Sequence, residues 1–473
     1  MSGSVAAIDL GATSGRVVLA RFADGNVELE IVERFLNNPV RHWEGTAEGL
    51  HWNLLEQFRS ILLGLRKAVR KEPGLQSIAV DSWGLDYGLL RGGALLGNPY
   101  SHRDPRTAAG VRAAHELVSQ EELYAVTGLQ FMPINSLYQL TADRLAGGID
   151  EGDTALLIPD LVNYWLTGQQ VAERTNASTT GLLDVHRREW SAELLERLRL
   201  PRQLFPGLID AGTHVGALLP GVAQEIGAQV PVHAVGSHDT ASAVVGVPAV
   251  DDEFAYVSCG TWALVGLELD KPVITEAGRV ANFTNEGGVD DRVRYLQNIM
   301  GMWLQSESIR TWEREGLSND LTALLREAAS LPRGSLFDAN DPRLLAPGDM
   351  PARIAQCCLE AGQPVPRTPA EFVRAIAESL AEAFARAVHT AAGLSGKTVK
   401  VIHIVGGGSQ NALLCQLTAD RSGLPVLAGP VEATALGNVL VQGRATGLVS
   451  GSLESLRALI ARSAAIVRYQ PRG

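Results

Sequence analysis

Cysteine is scarce in this chain of 473 residues: there are four thiols, Cys259, Cys357, Cys358 and Cys415, two of them adjacent and none at zinc-type spacing. A disulfide framework and a metal knuckle are therefore disfavoured, and free thiols, buried or partly buried, are the expectation. The ten histidines form no HExxH-type pair, so no dedicated transition-metal site is visible. No apolar run reaches the roughly 18 residues that would span a bilayer, which leaves no indication of a membrane role. No block of Lys and Arg relieves a formal net charge of −11, so nucleic acid is a poor partner. The opening MSGSVAAIDL has neither the basic segment nor the separate apolar stretch of a secretory leader, and the expected location is the cytoplasm.

What remains is the composition of a globular enzyme, 46% hydrophobic and 20% charged. The length exceeds what one core usually serves, so two domains are expected. The small, acidic, Pro-containing VPAVDDEF is the best boundary, giving domains at 1–246 and 247–473. Strand and helix patterns alternate through both halves. Apolar residues recur at helical spacing from Leu50 through Leu54, Phe58, Leu62, Leu65 and Val69 until Pro73-Gly74 stops them. SIAV then reads as a buried strand, and a helix is expected from about Pro369 to Ala392, followed by the strand VKVIHIV. The class is α/β.

Two segments, Ala6 to Phe22 and Phe254 to Leu269, read as the same β-hairpin with a turn of small residues. Such turns leave backbone N–H groups uncovered and form nests that suit phosphate. A second copy far away in the chain suggests a clamp on a polyphosphate. In DLGATSGR, Asp9 suits Mg²⁺, the turn suits phosphate and Arg16 suits transition-state charge, although an ordinary hairpin turn with Asp9 as a local cap reads equally well. In the second hairpin Gly260 and Thr261 present backbone and hydroxyl donors, or simply make a structural turn.

GGGSQN, Gly406 to Asn411, ends a strand and opens a helix, so backbone can approach a flat ligand there. It lacks the GxGxxG fingerprint, and LSGKTVK fails as a phosphate loop because Ala391 stands at the first glycine position. GSHDTASAVVG places Asp239 at a helix mouth, where it can accept a hydroxyl proton or merely cap the helix. His238 and Thr240 beside it can hydrogen-bond a polyol, though a lone histidine is commonly structural. DSWGLD offers Gly84 for close approach, with Trp83 reading as core, and QNIMGMW offers the amide of Asn298.

In that order, DLGATSGR, DSWGLD, HRDPRT, GSHDTASA, SCGTWAL, NEGG, QNIMGMW, IVGGGSQN and GPVEATALGN resemble the FGGY carbohydrate kinases over nearly the whole chain, from Asp9 to Asn438. SHDTASA, NEGG and NIMG are similar to the branch that phosphorylates L-rhamnulose. The resemblance implies two ribonuclease-H-like domains of the actin-like ATPase type with an interdomain cleft. It assigns ATP to Ala12, Thr13, Ser14, Gly15, Arg16, Thr261 and Gly407, and the sugar to Gly84, His238, Asp239, Thr240 and Asn298. Asp239 becomes the proton acceptor, and Asp9 contacts Mg²⁺ through water. The expected reaction is transfer of a phosphoryl group from ATP to the 1-hydroxyl of L-rhamnulose. Two positions depart from the pattern: Ser306, with Gln305 beside it, stands where a nucleotide-contacting glutamine is common, and Ser409 replaces a frequent cysteine. A kinase for another ketose or polyol is the nearest rival, and an actin-fold ATPase switch or a noncatalytic sugar sensor are more distant ones.

Overall fold

The structure, a computed structural model, describes residues 2–150, 152–317 and 320–472. The chain divides into two compact units, each assembled from three separate segments. The first comprises Met1–Val250, Glu268–Tyr295 and Ala433–Ser463, and the second Asp251–Leu267, Leu296–Glu432 and Ala464–Gly473.

In the first unit the expected hairpin forms from β1 (Gly3–Leu10) and β2 (Ser14–Ala23), with β3 (Asn26–Leu36) added antiparallel to β2. Helix α1 (Leu54–Lys71) follows, burying Leu54, Ile61, Leu65, Ala68 and Val69 along one face. Each fully buried Leu or Ile of that face contributes roughly 1.5–3 kcal/mol. The helix lies close against the hairpin because Gly64 has no Cβ, which would stand 2.5 Å from a Val17 methyl. Arg70 and Lys71 in the last turn complement the helix dipole.

Leu50 was expected to belong to this helix and does not. Glu48–Trp52 is a strand paired antiparallel with Pro39–Trp43, and Asn53 separates it from α1. Tertiary contacts override the apolar spacing here: the Leu50 N–H donates to the buried carboxylate of Asp104 at 2.8 Å, and Trp52 Nε1 donates to Asp86 at 2.7 Å.

The chain then enters β4 (Leu75–Ser82), parallel to β1. Further on come β5 (Val171–Glu173), β6 (His214–Ala217) and β7 (Pro231–His233), then α2 (Asp239–Val245). The main sheet has the order β6-β7-β4-β1-β2-β3, in which β7, β4 and β1 run parallel. These three strands are almost wholly buried, as strands covered on both faces must be.

The second unit repeats the grammar. Its hairpin is β8 (Phe254–Cys259) with β9 (Trp262–Leu269), and the long helix α3 (Pro369–Ser395) leads to β10 (Val401–Val405), parallel to β8. Thr368 and Glu371 close a capping box at the start of α3, and Gly396 in the left-handed conformation ends it. Helix α4 (Ala412–Ser422), strand β11 (Val426–Ala428) and strand β12 (Val467–Tyr469) follow, giving the run β9-β8-β10-β11-β12 within a seven-stranded sheet whose other two strands are Thr284–Gly287 and Val293–Met300. An antiparallel hairpin followed by parallel strands is thus built twice. Cys259, Cys357, Cys358 and Cys415 are all buried free thiols.

Helix α5 (Ala433–Ala445) belongs to the first unit and packs on β1, β4 and α2. Two glycines set its approach to α2. A Cβ on Gly437 would lie 1.8 Å from the Ser242 carbonyl oxygen, and one on Gly246 would lie 2.1 Å from that of Ala433. Only hydrogen fits between these backbones. No helix among the described residues is long and apolar enough to cross a membrane.

Candidate active site

The turn between β1 and β2 is fastened through its carbonyl groups. The Asn37 backbone N–H donates to Thr13 O at 3.0 Å, the Asn37 side chain donates to Gly11 O at 2.7 Å, and Gln57 supports Asn37 in turn. Gly15 is required by packing, since its Cβ would meet the Phe35 ring at 2.3 Å. Ala12, Thr13, Ser14 and Arg16 stay partly exposed.

Acidic and basic groups cross the sheet in one row. Asp9 pairs in register with Arg16 on β2 and with Asp81 on β4. Arg16 grips one Asp9 oxygen from Nε at 2.9 Å and Nη2 at 2.6 Å. Asp81 is fully buried; burial, then the charge of Asp9, push its carboxyl well above the usual carboxylate range, and a hydrogen bond from Asn438 at 2.5 Å pulls the other way. Its Oδ1 is buried with no hydrogen-bond partner. Adjacent carboxylates at the carboxyl ends of parallel strands, one with an orphaned oxygen, fit a hard cation such as Mg²⁺.

The strand-to-helix turn after β7 carries His238, Asp239 and Thr240. Its shape is set by Glu173, at the end of β5. One buried Glu173 oxygen accepts from the Ser237 hydroxyl at 2.8 Å, the Ser237 N–H at 3.0 Å and the Thr175 hydroxyl at 2.6 Å, and Thr175 Oγ1 accepts from the His238 N–H at 3.3 Å. Burial pushes the Glu173 carboxyl upward against these donors. Each such bond contributes of the order of 1 kcal/mol, and three converging on one oxygen, with the fourth on Thr175, fix the turn. A backbone bridge joins His238 to Ser82 at the end of β4.

Asp239 keeps 29% of its side-chain surface accessible. Its recess pushes the carboxyl above the ordinary range; the nearby His238 lowers it and the charge of Asp9 raises it again. Thr240 Oγ1 donates to Asp239 Oδ1 at 3.0 Å, and His238 Nε2 lies 3.5 Å from the same oxygen. His238 is held from behind by Arg294, whose Nη2 donates to Nδ1 at 3.0 Å.

Gly84 reaches this turn through intermediates. A Cβ here would stand 2.9 Å from Thr179 Oγ1, which donates to the carbonyl of Asn176, whose own amide donates to Ser237 O at 3.4 Å. Trp83 is core, its indole N–H donating to Asp86 at 2.9 Å. Asp9, Asp81, Gly84, His238, Asp239 and Thr240 therefore belong to one connected group in the first unit.

The remaining expected residues lie in the second unit. The carbonyls of Gly260 and Thr261 accept from Met302 N at 3.0 Å and Trp303 N at 3.1 Å, so the hairpin turn is tied to the start of the helix Trp303–Arg314. Asn298 is partly exposed on the preceding strand, Val293–Met300. In the glycine run, Gly406 is left-handed with φ 81°, a Cβ on Gly408 would strike Cys259 Sγ at 2.2 Å, and a Cβ on Gly407 would meet nothing within 4 Å. Gln305 is buried and Ser306 exposed on the next helix.

Sequence reasoning passed over Asp81, Glu173, Glu286, Arg294 and Asn438. Asp81 left a signal of its own: like Asp9, it is an acidic residue closing an apolar strand, in AVDSWG as in IDLG; Glu286 and Asn438 lie within NEGG and GPVEATALGN without a role read for either side chain.

Comparison with known proteins agrees with this architecture. Residues 4–246 match the N-terminal domain of the FGGY family of carbohydrate kinases, and residues 255–446 match its C-terminal domain. The chain is 43% identical over 476 residues to a rhamnulokinase of Pectobacterium atrosepticum, covering 99% of this chain and 93% of that protein. It is 39% identical over 470 residues to a rhamnulokinase of Bacteroides thetaiotaomicron, covering 98% and 95%. Among solved structures, a ligand-bound xylulose kinase from Lactobacillus acidophilus superposes with a TM-score of 0.79 at 18% identity, covering 99% of this chain and 94% of that one. A Plasmodium falciparum glycerol kinase with ADP gives 0.78 at 16%, covering 100% and 94%. The duplicated hairpin-and-parallel-strand unit is accordingly the actin-like ATPase fold, and with both halves matched the chain belongs to the FGGY family of carbohydrate kinases.

Proposed function

We propose that the chain transfers the terminal phosphoryl group of ATP to the 1-hydroxyl of L-rhamnulose, giving L-rhamnulose 1-phosphate and ADP. The near-full-length similarity to rhamnulokinases supports the choice of ketose. The observation that carries the chemistry is the partly exposed Asp239, fixed at a helix start by a turn that Glu173 holds. Thr240 and His238 both address Asp239 Oδ1, so Oδ2 is the oxygen available to the sugar hydroxyl. Asp239 orients that hydroxyl and takes its proton as the phosphorus–oxygen bond forms.

Gly84, His238, Thr240 and Asn298 bind the sugar, with residues 1–246 carrying most of it. Ala12 to Arg16, Thr261 and Gly407 attend the nucleotide. Arg16 offers its guanidinium to charge on the transferring group. Asp9 and Asp81 would hold Mg²⁺, Asp9 through water, and the ion supplies neutralisation of the phosphate charge. The product being a charged metabolite made from ATP, the cytoplasm is the natural compartment.

ADP release measured with Mg-ATP across a panel of ketoses and polyols, followed by location of the phosphate, tests the assignment. L-Rhamnulose is expected to lead with phosphate on its first carbon. Higher kcat/KM with xylulose, fuculose or glycerol overturns the choice of substrate, and turnover that ignores every sugar overturns the kinase mechanism.

Gly407 gives a second, narrower check. Because a Cβ there meets no protein atom within 4 Å, Gly407→Val is expected to fold, and melting like that of the wild type makes its effect a report on ligand. The KM for ATP is expected to rise about tenfold, a collision costing ~1.4 kcal/mol, with the KM for the sugar nearly unchanged. Equal effects on both substrates would remove the residue from the nucleotide site.

A further inference from the structure

We propose that Arg294 is a positioning residue that fixes the proton of His238 on Nε2, and so sets which oxygens of the sugar site His238 can address. The inference rests on the reading of Asp239 as proton acceptor and goes beyond it. Arg294 is fully buried. Its Nη2 donates to His238 Nδ1 at 3.0 Å, its Nε donates to the Gly287 carbonyl at 2.8 Å, and its Nη1 pairs with Glu286 at 3.0 Å.

A guanidinium can only donate and keeps its charge in a protein. The nitrogen facing it must therefore present a lone pair, which leaves the proton of a neutral imidazole on the opposite nitrogen. That nitrogen, Nε2, lies 3.5 Å from Asp239 Oδ1. The competing partner is Glu286, whose carboxylate stands 3.4 Å from Nδ1 and would favour a proton there. Glu286 is itself paired with Arg294, so the acid is neutralised by the same group that claims the lone pair. The backbone N–H of His238 is occupied by Thr175, which fixes the ring's origin.

The consequence is a division of labour at adjacent residues. His238 Nε2–H can donate to Asp239 or to a sugar oxygen and cannot accept from a hydroxyl. Asp239 is then the one group of the pair able to receive a proton. A ketose oxygen opposite His238 is met as an acceptor, and the hydroxyl that becomes phosphorylated is left to Asp239. Were the proton on Nδ1, His238 would compete for the same hydroxyl and hold it away from Asp239.

Nitrogen NMR of the full-length protein labelled at histidine reads the tautomer directly. The His238 signals are identified by their absence in His238→Gln. At neutral pH the wild type is expected to show a protonated Nε2 and an unprotonated Nδ1. Arg294→Met should lose that pattern and lower kcat by about 10–100-fold, the range found when an outer partner of a functional histidine is removed, with the KM for ATP unchanged. Arg294→Lys, which keeps a charged donor, should recover part of both. Should Arg294→Met fail to fold, the wild-type spectrum still decides. A ring protonated on Nδ1, or on both nitrogens, overturns the inference whatever the activity. The underlying reading is tested separately: if Asp239→Asn retains turnover while the tautomer is as stated, the assignment of Asp239 falls and the lock on His238 stands.

Discussion

Asp239→Asn is expected to lower kcat by roughly two to four orders of magnitude, the usual contribution of a positioned general base. The substitution keeps the side-chain shape and an oxygen for Thr240, whose hydroxyl donates to Oδ1 at 3.0 Å, so the turn should survive. It removes the group that accepts the proton. Binding of ATP, assigned to other residues, should change little, and unfolding by urea should be close to that of the wild type. Turnover within a few-fold of normal would exclude Asp239 as the base.

The pH profile of the unaltered enzyme provides a companion measurement. Asp239 must be ionised to accept a proton, and its recess, with Asp9 adding a like charge against the relief given by His238, raises its carboxyl above the ordinary value. Activity therefore falls as pH drops through that raised value, and the acidic limb of kcat/KM should lie above the ~3.9 of an unperturbed aspartate. The limb should vanish with Asp239→Asn.

Gly437→Val is expected to cost about 3 kcal/mol or more, at the upper end of what overpacking produces. The reason is backbone against backbone: a Cβ at 437 would stand 1.8 Å from the Ser242 carbonyl oxygen, and no side-chain rotation can relieve that contact. Helix α2 must shift, and Asp239 is its first residue. Loss of stability and loss of kcat should appear together, with Gly437→Ala milder in both. Gly207→Ala, at a site where a Cβ meets nothing within 4 Å and the backbone is not left-handed, controls for composition. A Gly437→Val protein with normal melting behaviour would mean that the two helices do not meet as described.

Much of the fold was legible because its signals are local. Both hairpins were readable from apolar runs bracketing small-residue turns. The helix Pro369–Ser395 announced itself through its periodicity. Asp239 was legible through the ordered series of motifs, since its local sequence reads as readily as a helix cap. Leu50 misled, since apolar spacing is the same whether a residue begins a helix or ends a strand paired with a distant segment. The supporting groups were invisible for a related reason. Asp81 and its partner Asn438 are 357 positions apart, and Glu173 meets Ser237 across 64. A buried carboxylate is interpretable only through the donors around it, and here those donors come from remote parts of the chain.

That remoteness governs the order in which the molecule can be made. Helix α5 supplies Asn438 to Asp81, and Gln442 donates to the Ala6 carbonyl in β1 at 3.1 Å. The Ala6 carbonyl of the first strand to leave the ribosome, and the Asp81 carboxyl beside it, thus wait for nearly the last helix before they receive these donors. A nascent chain halted at residue 250 should hold all six strands of the main sheet but with the face that α5 covers left open, dependent on chaperones and vulnerable to proteases. Supplying residues 433–463 as a separate polypeptide should restore protection to it.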